Sequence, residues 1–177
     1  TRAPARGVVV QAVGAGQAVL ATTESDANGR YSLTVPASTT VFIRVRAEML
    51  RSGSPGWTVS VRDNTAGNAV YVLDGTNADS GVAASTRDLH AAAAASTSGQ
   101  RSAGPFSLLD AVWQAQQLVL SAESTAVFPE LRLFWSTRNV PCGPGANGFC
   151  DGSSAALARG EISTSFFQNR AGDGRSI

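Results

Sequence analysis

One histidine bounds the chemistry this chain can do. His90 follows Asp88 by two residues and Arg87 by three, and a carboxylate beside an imidazole can tune it for general-base work. In a polar connecting stretch the same three side chains read more simply as solvated surface. Serines are numerous, yet no Gly-x-Ser-x-Gly elbow occurs, and a single histidine would have to serve any triad. No catalytic set is assigned, and the chain is not expected to be an enzyme within these residues. Asp63, Asn64, Asp74, Asn77 and Asp79 gather oxygen donors in one stretch, the raw material of a calcium site. Without the spacing or the closing Glu of an EF-hand loop, turns capped by their own side chains are the preferred reading. Asp151, Glu161 and Asp173 form no recognisable set, so no metal or cofactor is expected.

Cys142 and Cys150 flank Gly143, Pro144, Gly145, Asn147 and Gly148, a loop flexible enough to bring the two Cα atoms within the roughly 4.4–6.8 Å of a disulfide. The alternatives are two free thiols or two metal ligands, but two cysteines with no neighbouring histidine cannot fill a tetrahedral zinc site. A bridge implies an oxidising compartment, so the chain is expected to be secreted, periplasmic or on a cell surface. Trp57, Trp113 and Trp135, with Phe134, Phe166 and Phe167, would make a platform for sugars if exposed. Trp113 on an apolar helix stripe and Trp135 in a strand favour core packing instead. Gly14-Ala15-Gly16 is a hairpin turn rather than a phosphate loop, since no helix follows it.

The elements that must hold these residues follow from composition and periodicity. The chain has 177 residues, 43% of them hydrophobic and 15% charged, with 14 basic against 13 acidic groups. A length of this order buries roughly 70% of the unfolded surface, enough for a core without staples. A near-neutral balance with no dense Arg run gives no field to steer nucleic acid. Apolar runs fall short of the ~20 residues of a membrane span. All 14 basic residues are Arg, and heavy Ala and Gly usage with them points to a GC-rich bacterial genome. Thr1 in place of Met, with no charged and apolar leader after it, gives the expectation that Thr1 is not the encoded start.

Short runs bounded by Gly, Pro, Asn and Asp predict strands at Gly7–Val13, Gln17–Thr23, Arg30–Val35, Thr40–Ala47 and Trp57–Arg62. In the fourth, Val41, Ile43 and Val45 alternate with Phe42, Arg44 and Arg46, so one face is apolar and the other is expected in water. Asp26-Ala27-Asn28-Gly29 predicts a turn from which Tyr31 starts a returning strand. From Asp63 to Gly104 the pattern dissolves, with a short strand expected near Thr86–His90. Residues 91–104 read as a linker. Pro105, Phe106, Leu109, Val112, Trp113 and Leu120 then predict the one main helix, about residues 105–121. Leu131–Thr137 and Glu161–Phe167 are β-prone and are expected to pair as an antiparallel ribbon behind it.

The run Ser25-Asp26-Ala27-Asn28-Gly29-Arg30-Tyr31, continued by Val41-Phe42-Ile43-Arg44-Val45, resembles the signature of carboxypeptidase regulatory-like domains. That resemblance covers about the first 75 residues and implies a transthyretin-like sandwich of about seven strands, usually a non-catalytic spacer or adhesion module. Pro105-Phe106-Ser107-Leu108-Leu109-Asp110-Ala111-Val112, Leu131–Ser136 and Gly160–Phe167 are similar to the region that leads into a zinc-peptidase domain in some large secreted bacterial proteins. Here the His-Glu-x-x-His helix of such a domain is absent. The family pattern also places a strand ahead of Ala3–Gly7, whose loss would leave an open edge for a strand from another subunit.

The expected architecture is mainly β: an Ig- or transthyretin-like sandwich over residues 1–90, a linker over 91–104, and a small α+β segment with the cysteine loop over 105–177. The expected role is a non-catalytic secreted structural or interaction module, making protein–protein contacts and polymerising through open strand edges. The leading part of a zinc metallopeptidase is the alternative, and a carbohydrate-binding module the weaker one.

Overall fold

The computed structural model describes residues 3–92 and 102–136, and the backbone of 161–163. Its described residues form two sheets and one main helix. In the first sheet, β1 (Val9–Val13) and β2 (Val19–Glu24) pair antiparallel across a 3-10 turn at Ala15–Gln17. Gly16 takes φ +62° there, which glycine adopts without a Cβ clash. This is the hairpin that Gly14-Ala15-Gly16 predicts. β3 (Thr40–Arg46) pairs with the other side of β1, setting Val10 opposite Val45 and Ala12 opposite Ile43. Between β2 and β3, β1 has a partner on each side along Val10–Val13, so no open edge lies along it.

Alternate residues sort to opposite faces as the pleat requires. Val10, Ala12, Ile43 and Val45 join the main core cluster. Phe42, on the face expected in water, is also buried; the Arg44 guanidinium lies 5.2 Å from its ring centroid, fixed by 2.7 Å bonds to both Asp74 oxygens.

The strand continues beyond the sheet. Past the fully buried Ala47, the chain runs on as β4 (Glu48–Arg51), which pairs in the second sheet with β5 (Trp57–Asp63). A second segment crosses in the other direction. β6 (Ala69–Val70) pairs with β5, and after Tyr71, β7 (Val72–Asp74) pairs with β3. Three backbone bonds lace this corner: Ala47 N to Tyr71 O (2.8 Å), Tyr71 N to Val61 O (3.2 Å) and Val61 N to Ala47 O (2.9 Å). Strands that switch sheets at a bend make such corners. β8 (Ala78–Asp79) pairs with the start of β3.

Helix α1 spans Ala103–Ala122, slightly longer than the predicted 105–121. Pro105 sits in its first turn, where the missing N–H is not needed. Phe106, Leu109, Val112, Trp113 and Leu120 face the core as their spacing predicts. Gln116 lies on the buried side as well, at 4% exposure, and its Oε1 has no hydrogen-bond partner among the described residues. An orphaned buried acceptor costs about 1–3 kcal/mol. Gln116→Leu is therefore expected to raise stability by about 1 kcal/mol, seen as a higher urea midpoint at unchanged slope. A lower midpoint would show that Oε1 has a partner.

Ser102 Oγ and Ala103 N both donate to Ala92 O at 3.1 Å, tying the helix start to the chain before it. Of the expected linker, residues 93–101 lie outside the described residues. β9 (Leu131–Phe134) pairs parallel with β5, and β10 (Glu161–Ser163) pairs parallel with β9. This corrects the expected antiparallel ribbon. A parallel neighbour needs a connection of about a dozen residues or more, and the sequence between Phe134 and Glu161 is longer than that. Leu133, Phe106 and Leu109 belong to the same cluster as Val10 and Ile43, so α1 and β9 share the core of the first 90 residues.

Candidate functional site

The turn that carries the resemblance resolves into structural parts. Ser25 Oγ accepts from Val8 N (3.1 Å) and donates to Ala5 O (2.7 Å), holding the N-terminal segment to the turn. Asp26 Oδ1 accepts from Arg30 N and Asn28 N, each at 2.8 Å. Those two amides hold the Asp26 carboxyl below the ordinary carboxylate range. Gly29 takes φ +74°, and a Cβ there would meet the Pro4 side chain at 3.0 Å. The turn then delivers Tyr31, whose hydroxyl donates to Arg87 O at 2.5 Å.

Beyond Tyr31 the expected strand Arg30–Val35 does not join a sheet. Tyr31, Leu33 and Val35 are half-buried against the core while Ser32 and Thr34 are exposed, the period of a strand. Yet residues 31–35 make no backbone–backbone hydrogen bond to any described residue. A second stretch behaves alike. Arg87, Leu89 and Ala91 are half-buried, and Asp88 and His90 are exposed, but the strand expected at Thr86–His90 is absent; β6, β7 and β8 are the short strands of this region. A strand needs a neighbour within about 4.7–4.9 Å, and these two stretches are joined only through side chains along their length.

Between them runs a groove of about 810 Å³, floored by Ala12, Val41 and Ile43 of the first sheet. One end is closed by the Tyr31 hydroxyl on Arg87 O. At the other, Ser80 Oγ donates to Pro36 O (2.8 Å) and accepts from Thr39 N (3.1 Å), while Ser38 N donates to Gly81 O (3.0 Å). Residue 31 thus faces 87 and residue 36 faces 80, so the two walls run antiparallel. A second cavity, of about 430 Å³, lies against residues 85–89 and is bounded also by Gly75 and Thr76. Val82, in the groove lining, is 88% exposed.

Burial pushes the Tyr31 phenol up, the Asp88 carboxylate adds to this, and Arg87 opposes it. A folded value above the unfolded one, which is near 10, means that the contribution is fully present below about pH 10 and is lost as pH rises through the folded value. Tyr31→Phe is expected to cost about 1 kcal/mol and to remove a phenolate component that titrates above the ordinary tyrosine value. An unchanged alkaline titration in that variant would count against the brace.

The other candidate residues are dispersed. Burial pushes the Asp63 carboxyl up, and donors from Thr65, Tyr71 and Ser136 bring it below its ordinary range; it accepts from Thr65 N (2.8 Å) and Thr65 Oγ1 (2.6 Å). Asn64 has buried amide atoms with no partner among the described residues. Asp74 is engaged by Arg44, Asp79 Oδ1 accepts from Gly81 N, and Asn77 is exposed. Among the described residues no three His, Cys, Asp or Glu side chains converge as a metal site. Trp57 is 7% exposed and meets Phe128 edge-on at 6.3 Å. Trp135 meets Tyr71 at 5.5 Å, and Trp113 lies under Arg6 at 5.2 Å; no sugar platform is brought together by these three. Cys142, Cys150, Asp151, Phe166, Phe167 and Asp173 lie outside the described residues. No helix among the described residues is long and apolar enough to cross a membrane.

Sequence reasoning missed Ser80, the buried hydroxyl that closes one end of the groove; nothing in its neighbourhood of Asn, Ala and Gly marks it. A short strand near Thr86–His90 was expected, but not that it would pair with no strand among the described residues. Compared with protein-family models, with curated proteins and with solved structures, the chain has no match.

Proposed function

We propose that this chain is a non-catalytic structural and interaction module of a secreted or cell-surface protein, a β-sandwich that meets other chains by strand pairing and assembles with copies of itself. One observation carries the reading: Tyr31–Val35 has the residues and the burial period of a strand but no backbone partner among the described residues. Backbone N–H and C=O groups are obligatory hydrogen-bonding groups, and proteins seldom leave a strand edge uncovered. A strand from another polypeptide is one established way of covering it. The likeness of the Ser25–Tyr31 turn to regulatory-like sandwich modules points the same way.

Light scattering after size exclusion, from micromolar to millimolar chain, with negative-stain microscopy of the same fractions, tests it. Concentration-dependent assemblies are expected. A strictly monomeric chain at the highest concentration overturns self-assembly.

A further inference from the structure

We infer that residues 81–86 are a cleavage site for an endopeptidase that selects small aliphatic side chains, and that the cut chain stays folded as one body. This goes beyond the reading as an interaction module and does not depend on it.

The loop is presented as a peptidase needs it. Each of residues 81–86 is exposed, Val82 to 88%. Both ends of the loop are pinned. Gly81 N donates to Asp79 Oδ1 (2.6 Å), and Gly81 O accepts from Ser38 N (3.0 Å). Arg87 donates from Nη2 to Asp79 O (2.6 Å), and its carbonyl accepts the Tyr31 hydroxyl. Between these anchors, none of residues 82–86 gives or takes a backbone–backbone hydrogen bond among the described residues. A substrate segment that binds extended adds its main chain to that of its partner, and here it breaks no such bond to do so. The turn at 66–69 makes the contrast. It is exposed and carries small residues too, but the amides of Ala66, Asn68 and Ala69 donate to Asp63 O or Ala66 O at 3.0–3.2 Å. Exposed loop tips of small residues are where nicking concentrates.

The side chains set the class of enzyme. Gly81-Val82-Ala83-Ala84-Ser85-Thr86 offers Val82, Ala83 or Ala84 to the specificity pocket, and a small pocket such as that of elastase takes these and excludes longer groups. Enzymes that select Arg find the nearby bonds withheld. Arg87 is engaged at both its guanidinium and its carbonyl, and Arg30 O accepts from Asp26 N at 2.8 Å. Hydrolysis breaks the bond from Ala83 C to Ala84 N, with the hydroxyl of water added to the carbon and its hydrogen to the nitrogen. The new carboxylate and amine emerge in solvent, so neither charge is buried.

The cut falls between β8 and α1, yet the two pieces share one core. Phe106, Leu109 and Leu133 lie in the same cluster as Val10, Ile43 and Val59. β9 pairs with β5 from Leu131 opposite Val59 to Phe134 opposite Arg62, and Arg6 bonds to Asp110 at 3.2 Å.

Pancreatic elastase acting on the folded full chain, with the products identified by mass, tests this. Cleavage after Val82, Ala83 or Ala84 is expected, and Leu109→Ala should change its rate by less than about twofold, because the loop is open in the native state. Cleavage within β1 or β2, which requires unfolding, should rise about a hundredfold in that variant. The two pieces are expected to co-elute in native buffer and to separate in urea. Trypsin, over the same interval, should leave the bonds after Arg30 and Arg87 intact. Val82→Asp, Ala83→Asp and Ala84→Asp combined should slow cleavage of the loop by about tenfold or more, at an unchanged melting midpoint. No cleavage in the loop, or loop cleavage that rises with Leu109→Ala as β1 does, overturns the site. Trypsin cutting after Arg30 or Arg87 as fast as elastase cuts the loop, or wild-type cleavage of the triple variant, overturns the class of enzyme. Pieces that part in native buffer overturn the single body.

Discussion

Leu109→Ala is expected to lower stability by about 3 kcal/mol, within the roughly 2–5 kcal/mol range of such truncations. Leu109 has no exposed surface and sits in the main cluster with Val59, Val61 and Met49 of the second sheet. Deleting its branched end removes apolar burial and leaves a cavity that a helix already packed on β5 can close only in part. Against a total of roughly 5–15 kcal/mol this is a large fraction. Urea unfolding followed by tryptophan fluorescence measures it, with Leu118→Ala as the contrast. Leu118 is 75% exposed on the same helix and should change stability by no more than about 0.5 kcal/mol. Equal effects at the two positions would mean that α1 does not bury the face assigned to it.

Gly56→Ala should be comparably harmful for a different reason. A Cβ at Gly56 would lie 2.4 Å from Gly53 O and 3.2 Å from Arg51 O. Both are backbone atoms, so no side chain can swing aside. Gly56 also donates from N to Ala126 O (3.3 Å) and accepts at O from Phe128 N (2.8 Å), pinning the segment after α1 to the start of β5. Relieving the overlap moves the backbone and loosens those two bonds. Overpacking of this kind costs about 1–3 kcal/mol, and each lost backbone bond about 1 kcal/mol more. A fall in thermal midpoint, with increased amide exchange at 126–128, is the expected result. A variant that melts like the wild type would show that the Ser52–Gly56 turn has room to relax.

Where residues met a local rule, the fold was legible. The Gly14–Gly16 hairpin, the strand over Thr40–Arg46 and the stripe from Phe106 to Leu120 follow from turn chemistry and periodicity alone. Pairing was not legible in the same way. Arg30–Val35 reads as a strand because its side chains alternate, but alternation says nothing about whether a neighbour lies within bonding distance. β9 and β10 read as strands, yet only the placement of the long connection between them decides parallel from antiparallel. β4 was missed because Glu48–Arg51 continues the chain of β3 without a turn signal at Ala47. The groove depends on all of these at once: a floor from β1 and β3, two walls that pair with no strand among the described residues, and a serine hydroxyl from a stretch with no pattern.

The corner at Ala47 and Tyr71 has a consequence for how the molecule comes apart. Two unbroken chain segments run from one sheet into the other there, so neither sheet can be lost while the other keeps its strands. Melting should be a single all-or-none event, with equal calorimetric and van't Hoff enthalpies. A thread pulled at one sheet draws on the other through Ala47, and the chain yields as one body or holds as one.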